Sequence, residues 1–173
     1  MPANIEIKAQ VHDRPALEAR VQTLAGDAVA VIEQDDCFFE CAQGRLKLRD
    51  FGNGQGELIA YERPDQPGPA TSSYTRTATA DPAGLRDVLL RSLVTAGRVV
   101  KSRTLYIVGR TRIHIDQVDG LGAYMELEVV LEPGEAPAAG LAEAQQLVAA
   151  LEIHAADLCD GAYVDLLATS GPR

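Results

Sequence analysis

Charged residues recur at every second position in four short segments of this chain: Glu6 and Lys8; Arg45, Lys47 and Arg49; Arg110, Arg112, His114 and Asp116; Glu126 and Glu128. In a β-strand such spacing places each set on one face. The residues between them are apolar, as with Ile5 and Ile7, Leu46 and Leu48, Ile113 and Ile115, and Leu127 and Val129. One strand of this type implies a core-facing side and a wet side. Several, some carrying cations and others carboxylates, imply charged faces that converge. Unpaired buried charges cost several kcal/mol, so such an interior must hold water, ions and a charged ligand.

The pattern predicts strands at 3–11, 29–40, 43–50, 56–63, 71–77, 98–108, 109–117 and 123–131. A glycine-rich hairpin connection spans 51–56 and a turn-rich loop spans 64–69. Val118-Asp119-Gly120-Leu121-Gly122 joins two strands through an Asp-Gly pair. Asp13 can cap a helix running to Ala25, with Gly26 as its stop. Asp81 can cap a second, with Pro82 at its first position and Gly97 as its stop. A third is expected over 138–151, and a short helical turn over 155–160 precedes the tail from Tyr163. Eight strands with alternating charge suit an α+β fold: a closed eight-stranded antiparallel β-barrel, wide enough for a small ligand, with helices packed on its outside. Residues 1–168 are expected to form one domain, and 169–173 a frayed tail.

The chain has 173 residues and a net charge of −9. The acidic balance speaks against nucleic acid as a partner. No segment has the apolar length of a membrane span, and the N-terminal layout is not that of a signal peptide, so a cytoplasmic location is expected. Cys37, Cys41 and Cys159 lack the paired spacing of a disulfide framework or a zinc site and are expected to be reduced. Lys and Arg are concentrated in the strands, at Lys8, Arg45, Lys47, Arg49, Arg63, Arg76, Lys101, Arg103, Arg110 and Arg112. A local cationic field within an acidic protein suits a small, highly charged anion.

Arginine clamps phosphate oxygens bidentately and lysine adds a compact charge, so Lys8, Arg45, Lys47, Arg49, Arg63, Lys101, Arg103, Arg110 and Arg112 are the candidate substrate-binding residues. Glu126 and Glu128, pointing the same way from one strand, repel each other unless a cation sits between them. Glu6 can complete a hard-oxygen site and Asp116 can join it, a set suited to Mg²⁺ or Mn²⁺. His114 shares the face of Arg112 and Asp116, as a base or as a polar lining residue. The loop at 52–56 lacks the following helix and the Lys-Ser/Thr of a P-loop, and reads as a hairpin turn.

Taken in order, Asn4-Ile5-Glu6-Ile7-Lys8, Gly44-Arg45-Leu46-Lys47-Leu48-Arg49, Lys101-Ser102-Arg103, Thr111-Arg112-Ile113-His114-Ile115-Asp116 and Tyr124-Met125-Glu126-Leu127-Glu128 resemble the CYTH superfamily, the triphosphate tunnel metalloenzymes. That group includes class IV adenylate cyclases, thiamine triphosphatases and inorganic triphosphatases, and the chain looks most like the class IV cyclase type. The resemblance runs from Asn4 to Leu167. It implies metal ligation by Glu6, Glu126 and Glu128, phosphate binding by Lys8, Arg45, Lys47, Lys101 and Arg112, and a role for Asp116 in holding metal or orienting water. Glu6, Asp116 and Glu128 are then the candidate catalytic residues. Family analogy favours a homodimer. The family's usual opening is Glu-x-Glu-x-Lys, and Asn4 stands here at the first Glu position. It offers a carbonyl oxygen without the charge, which implies a weaker second metal.

Three functions follow. As a cyclase, the chain converts ATP to cyclic AMP and pyrophosphate. As a triphosphatase, it directs water at the terminal phosphorus. As a tunnel protein put to another use, it binds phosphorylated ligands or serves a biosynthetic reaction. The clamp residues are common to all three.

Overall fold

The structure is a computed structural model that describes residues 3–62 and 69–170. Eight strands close into one barrel: β1 (Ala3–Gln10), β2 (Ala30–Phe39), β3 (Arg45–Asp50), β4 (Gly56–Glu62), β5 (Ala70–Thr79), β6 (Thr95–Val108), β7 (Thr111–Val118) and β8 (Gly122–Val130). Their order around the barrel is β1-β5-β4-β3-β2-β6-β7-β8, and β8 returns to β1. Every neighbouring pair is antiparallel. Closure leaves no free sheet edge among these strands.

The alternation in the sequence decides which side of each strand faces in. Ile5, Ile7 and Ala9 of β1, Ile113 and Ile115 of β7, and Met125, Leu127 and Val129 of β8 all turn outward into one core. Helices α1 (Arg14–Ala25) and α3 (Pro137–Ala150) cover that core with Leu17 and Val21, and with Ala144 and Leu147. Fully burying an aliphatic side chain stabilises by about 1.5–3 kcal/mol, so this outer layer holds the barrel closed around a polar interior. Helix α2 (Pro82–Ser92) sends Leu85 and Leu89 onto a smaller cluster of Cys37, Phe39 and Leu48. Asp13 caps α1 by accepting from the Ala16 N–H, and Asp81 caps α2 by accepting from the Gly84 N–H.

The expected strand and helix positions hold to within a few residues, with three corrections. Gly97 does not stop α2. That helix ends at Ser92 with extended backbone at Leu93, and Gly97 lies inside β6, which starts at Thr95. There its φ of 143° coincides with a register shift of β2 between Phe38 and Phe39. Second, the tail is helical: α4 spans Tyr163–Ser170 and packs against β6 through Val164. A Cβ on Gly97 would come within 2.5 Å of Val164 Cγ2, so the glycine seats this helix. Third, the strand expected to begin at 109 begins at Thr111, because Gly109 and Arg110 form the β6–β7 turn.

The segment before α4 is pinned to β1. The Cys159 N–H donates to the Lys8 carbonyl, and Ala9 bridges Leu158. Phe38, Val99, Val118, Tyr124, Tyr163 and Val164 then form an apolar plug at that end of the barrel. All three cysteine thiols are free. No helix among the described residues is long and apolar enough to cross a membrane.

Candidate active site inside the barrel

The inward faces enclose a cavity of about 350 Å³. Among the described residues, eight cations line it: Lys8, Arg45, Lys47, Arg49, Arg76, Lys101, Arg103 and Arg112. Five carboxylates share the lining, at Glu6, Asp36, Glu57, Glu126 and Glu128. The balance is positive, although the whole chain carries −9. Low-dielectric walls concentrate such a field on a small anion.

Strand register arranges the carboxylates. Glu126 on β8 lies between Lys8 on β1 and His114 on β7, while Glu128 lies between Glu6 and Arg112. Lys8 Nζ is 3.4 Å from Glu126 Oε1, and the Arg103 guanidinium donates to Glu126 Oε2. Arg112 Nε lies 2.9 Å from Glu128 Oε2. Burial pushes the Glu126 carboxyl up, but Arg103 and Lys8 outweigh it and hold it well below the ordinary carboxylate range. Burial and the nearby Arg103 depress His114 to about 3, which leaves its imidazole neutral. The ligand atoms of His114, Glu126 and Glu128 lie within 4.8 Å of one another. His114 Nδ1 is buried without a hydrogen-bond partner. Two carboxylates and an unpartnered neutral nitrogen fit a divalent cation.

Opposite this cluster sits a second one, built around a carboxylate that the sequence pattern did not single out. Asp36, 1% exposed, accepts from Lys47 Nζ at 2.9 Å, from Arg49 at 2.7 Å through both guanidinium donors, and from Lys101 Nζ at 3.3 Å. Burial pushes the Asp36 carboxyl up, and Lys47, Lys101 and Arg49 more than reverse it, so it stays ionised. Burial, with Arg49, Arg103 and Lys47 nearby, lowers Lys101 to about 7 despite Asp36. The same forces lower Lys47, where burial leads and Arg49 adds. These three cations are held together by one carboxylate.

The barrel thus gathers Glu6, Lys8, Arg45, Lys47, Arg49, Lys101, Arg103, Arg112, Glu126 and Glu128 around one cavity. Glu6 lines it opposite Glu128 but lies outside the tight ligand grouping, where His114 stands instead. Asp116 shares the inward face of β7 with Arg112 and His114 but is fully buried toward the closed end, beneath Arg103 and Tyr163. It takes both Arg103 donors at 2.7 and 2.6 Å and the Tyr163 hydroxyl at 2.9 Å, so it orients Arg103 rather than lining the cavity. Arg110 is a correction. Being in the turn, it falls out of the strand's alternation and points outside, pairing with Glu135 at 2.6 Å and Glu143 at 2.8 Å. Arg63 lies outside the described residues.

Sequence reasoning missed Asp36, Gln34 and the structural use of Tyr163. Gln34, Asp36 and Phe38 do share one parity, which was the available signal. Asp35, beside Asp36, masked it; Asp35 points outward and pairs with Arg98 and Arg86. Tyr163 closes one end: Lys8 Nζ sits 4.1 Å from its ring centroid and donates to the Gly161 carbonyl at 2.9 Å.

A closed antiparallel barrel with a cation-rich, carboxylate-bearing interior defines the triphosphate tunnel class of fold. The chain belongs to the CYTH domain family, whose model matches residues 2–163. Solved structures share the fold at low identity. The PH1012 protein of Pyrococcus horikoshii OT3 has a TM-score of 0.83 at 20% identity, covering 95% of this chain and 99% of its own. A proposed adenylate cyclase from Vibrio parahaemolyticus has a TM-score of 0.78 at 18% identity, covering 95% and 97%. A proposed adenylyl cyclase from Hippeastrum, whose dominant activity is that of a triphosphatase, has a TM-score of 0.67 at 16% identity, covering 98% and 97%. A search of curated proteins finds no matching sequence.

Proposed function

We propose that this chain is a divalent-metal-dependent enzyme that binds the triphosphate of a nucleotide inside the barrel, with ATP as substrate and cyclic AMP and pyrophosphate as products. The observation that carries the triphosphate reading is the convergence of eight cations on one cavity that also holds the His114, Glu126 and Glu128 cluster. A triphosphate carries about four negative charges at neutral pH, which matches a positive interior supplemented by one divalent ion. A neighbouring cavity of about 820 Å³ shares Phe38, Arg45 and Tyr61 with the barrel interior. Tyr61, half-buried at that junction, offers an aromatic face for a nucleoside next to the phosphate clamp.

Lys47, Arg49 and Lys101 bind phosphate oxygens in exchange for Asp36, and Arg103, fixed by Asp116, contributes a rigid fork. Glu126 and Glu128 would hold the cation, with Glu6 facing Glu128 from β1. A divalent cation bound there supplies charge neutralisation on the phosphates and acidifies an attacking hydroxyl. For cyclisation, the nucleotide's 3′-hydroxyl gives its proton to water, and its oxygen forms a bond to the α-phosphorus while the bond to the bridging oxygen breaks. Pyrophosphate then departs along the cationic wall, which stabilises the charge developing on it.

Hydrolysis is the second reading. It is favoured by the clamp itself, whose cations come from β1, β3, β5, β6 and β7 around the cavity, and by the triphosphatase activity of the Hippeastrum relative. The two differ in the nucleophile, the nucleotide's 3′-hydroxyl or water, and in the phosphorus attacked. Incubation with Mg²⁺ or Mn²⁺ and, separately, ATP, GTP, tripolyphosphate and thiamine triphosphate, followed by chromatography with mass detection, separates them. Cyclic AMP with pyrophosphate supports the cyclase. Orthophosphate in place of cyclic AMP establishes the triphosphatase. Tight metal-dependent binding without any product points to a tunnel that binds phosphorylated ligands or serves another reaction.

A further inference from the structure

His114 is the one member of the metal-capable cluster that is not a carboxylate. It projects inward from β7, is 5% exposed and faces Glu126 in register. Its Nδ1 has no hydrogen-bond partner although it is buried. The nearest carboxylate oxygen to it in an ion pair, Glu128 Oε1, is 3.8 Å away, too far for a hydrogen bond. Buried polar atoms are almost always satisfied, and an exception at a charged cavity points to a missing partner. A proton donor is a poor candidate for that partner, because the cations nearby already hold other groups: Arg103 is engaged by Asp116 and Glu126, and Arg112 by Glu128. A cation shared with the two carboxylates satisfies all three groups at once.

The first position of the row on β1 adds to this. Asn4 is 2% exposed, lines the same cavity and brings no charge, and its Oδ1 is also buried without a partner. The interior therefore offers fewer hard anionic oxygens and one nitrogen. Mg²⁺ takes oxygen ligands almost exclusively, whereas first-row transition ions accept imidazole readily.

We propose that His114 is a direct ligand of the divalent cation, together with Glu126 and Glu128, and that this mixed nitrogen and oxygen set shifts the site's preference from Mg²⁺ toward first-row transition ions, with Mn²⁺ as the probe. The proposal rests on the reading of the barrel as a metal-dependent triphosphate site.

Pulsed electron paramagnetic resonance of the full chain loaded with Mn²⁺ alone tests it without any turnover. A bound imidazole nitrogen gives a ¹⁴N coupling. The chain has three histidines, and His12 and His154 are both exposed. A double variant, His12→Gln with His154→Gln, keeps His114 as the sole imidazole and must retain the coupling. His114→Gln must lose it. Partners one step removed from a metal are worth about 10–100-fold in affinity, so loss of a direct ligand should weaken Mn²⁺ binding at least about tenfold and Mg²⁺ binding by less. If His114→Gln does not fold, as judged by circular dichroism, the double variant still decides the matter. Mn²⁺ that binds stoichiometrically, depends on Glu126 and shows no ¹⁴N coupling overturns the ligand assignment and leaves the metal site standing. Coupling that survives in His114→Gln overturns it too. Absence of any Mn²⁺ binding overturns both the assignment and the metal reading beneath it.

Discussion

Asp36 and Arg49 face each other across β2 and β3 and share two hydrogen bonds of 2.7 Å, inside a cavity otherwise dominated by cations. The same carboxylate holds Lys47 and Lys101. Removing one partner of a buried ion pair destabilises by about 3–5 kcal/mol. Asp36→Asn should therefore lower the melting temperature sharply, and tripolyphosphate should restore more of it than it adds to the wild type, because the anion replaces the missing charge. Equal thermal shifts in variant and wild type, read by differential scanning fluorimetry, would show that the ligand does not engage these cations.

Lys101 gives a pH signature. Its folded value of about 7 lies below the ordinary lysine value of 10.5. Between these two pH values the unfolded chain binds more protons than the folded one, so stability rises with pH across that window and falls on acidification from pH 10 toward pH 7. A bound triphosphate raises the lysine's proton affinity again. Calorimetric titration at pH 8 in buffers of different ionisation enthalpy should reveal net proton uptake on binding, and Lys101→Met should abolish it. Uptake that is unchanged in the variant would assign the proton to another group.

Glu126→Gln and Glu128→Gln should each remove the metal-dependent part of thermal stabilisation by triphosphate while the metal-independent part remains. Identical stabilisation in the presence and absence of Mn²⁺ in the wild type would contradict a metal role for this pair.

Asn4→Glu restores a carboxylate beside Glu6 on the inner face of β1. It should tighten metal binding, raise the number of ions bound, or both, as measured by equilibrium dialysis. No change in stoichiometry or affinity would place position 4 outside the metal site.

Gly97→Ala places a methyl group where only 2.5 Å separates it from Val164 Cγ2, at a φ of 143°. The substitution should cost stability and loosen α4 from the barrel end, which is visible as faster amide exchange over 163–170. Unaltered exchange would mean that α4 is seated by other contacts.

The barrel was legible because alternation of charge and apolar residues survives along β1, β3, β7 and β8, and each inward set could be read by parity. Strand pairing was not. Nothing in the local pattern says that β1 lies between β5 and β8, because register is decided by contacts distant in sequence. Arg110 was misplaced because parity was carried one step past the strand into a turn. Asp36 was missed because a doublet of aspartates presents one carboxylate to each face, and the pattern alone does not say which matters. Tyr163 stood out in the sequence only as the start of the tail, and its hydroxyl ties Asp116, and through it Arg103, to the closed end of the barrel.

The proposed function makes this barrel a metal-assisted triphosphate site. Isothermal titration of the wild-type chain with tripolyphosphate in Mn²⁺ tests it most directly, beside Lys47→Met and Arg49→Met. The account predicts one triphosphate per chain, with affinity that drops when Mn²⁺ is withheld and drops again in either variant. Absence of binding, or binding of equal strength in all three proteins, would contradict it.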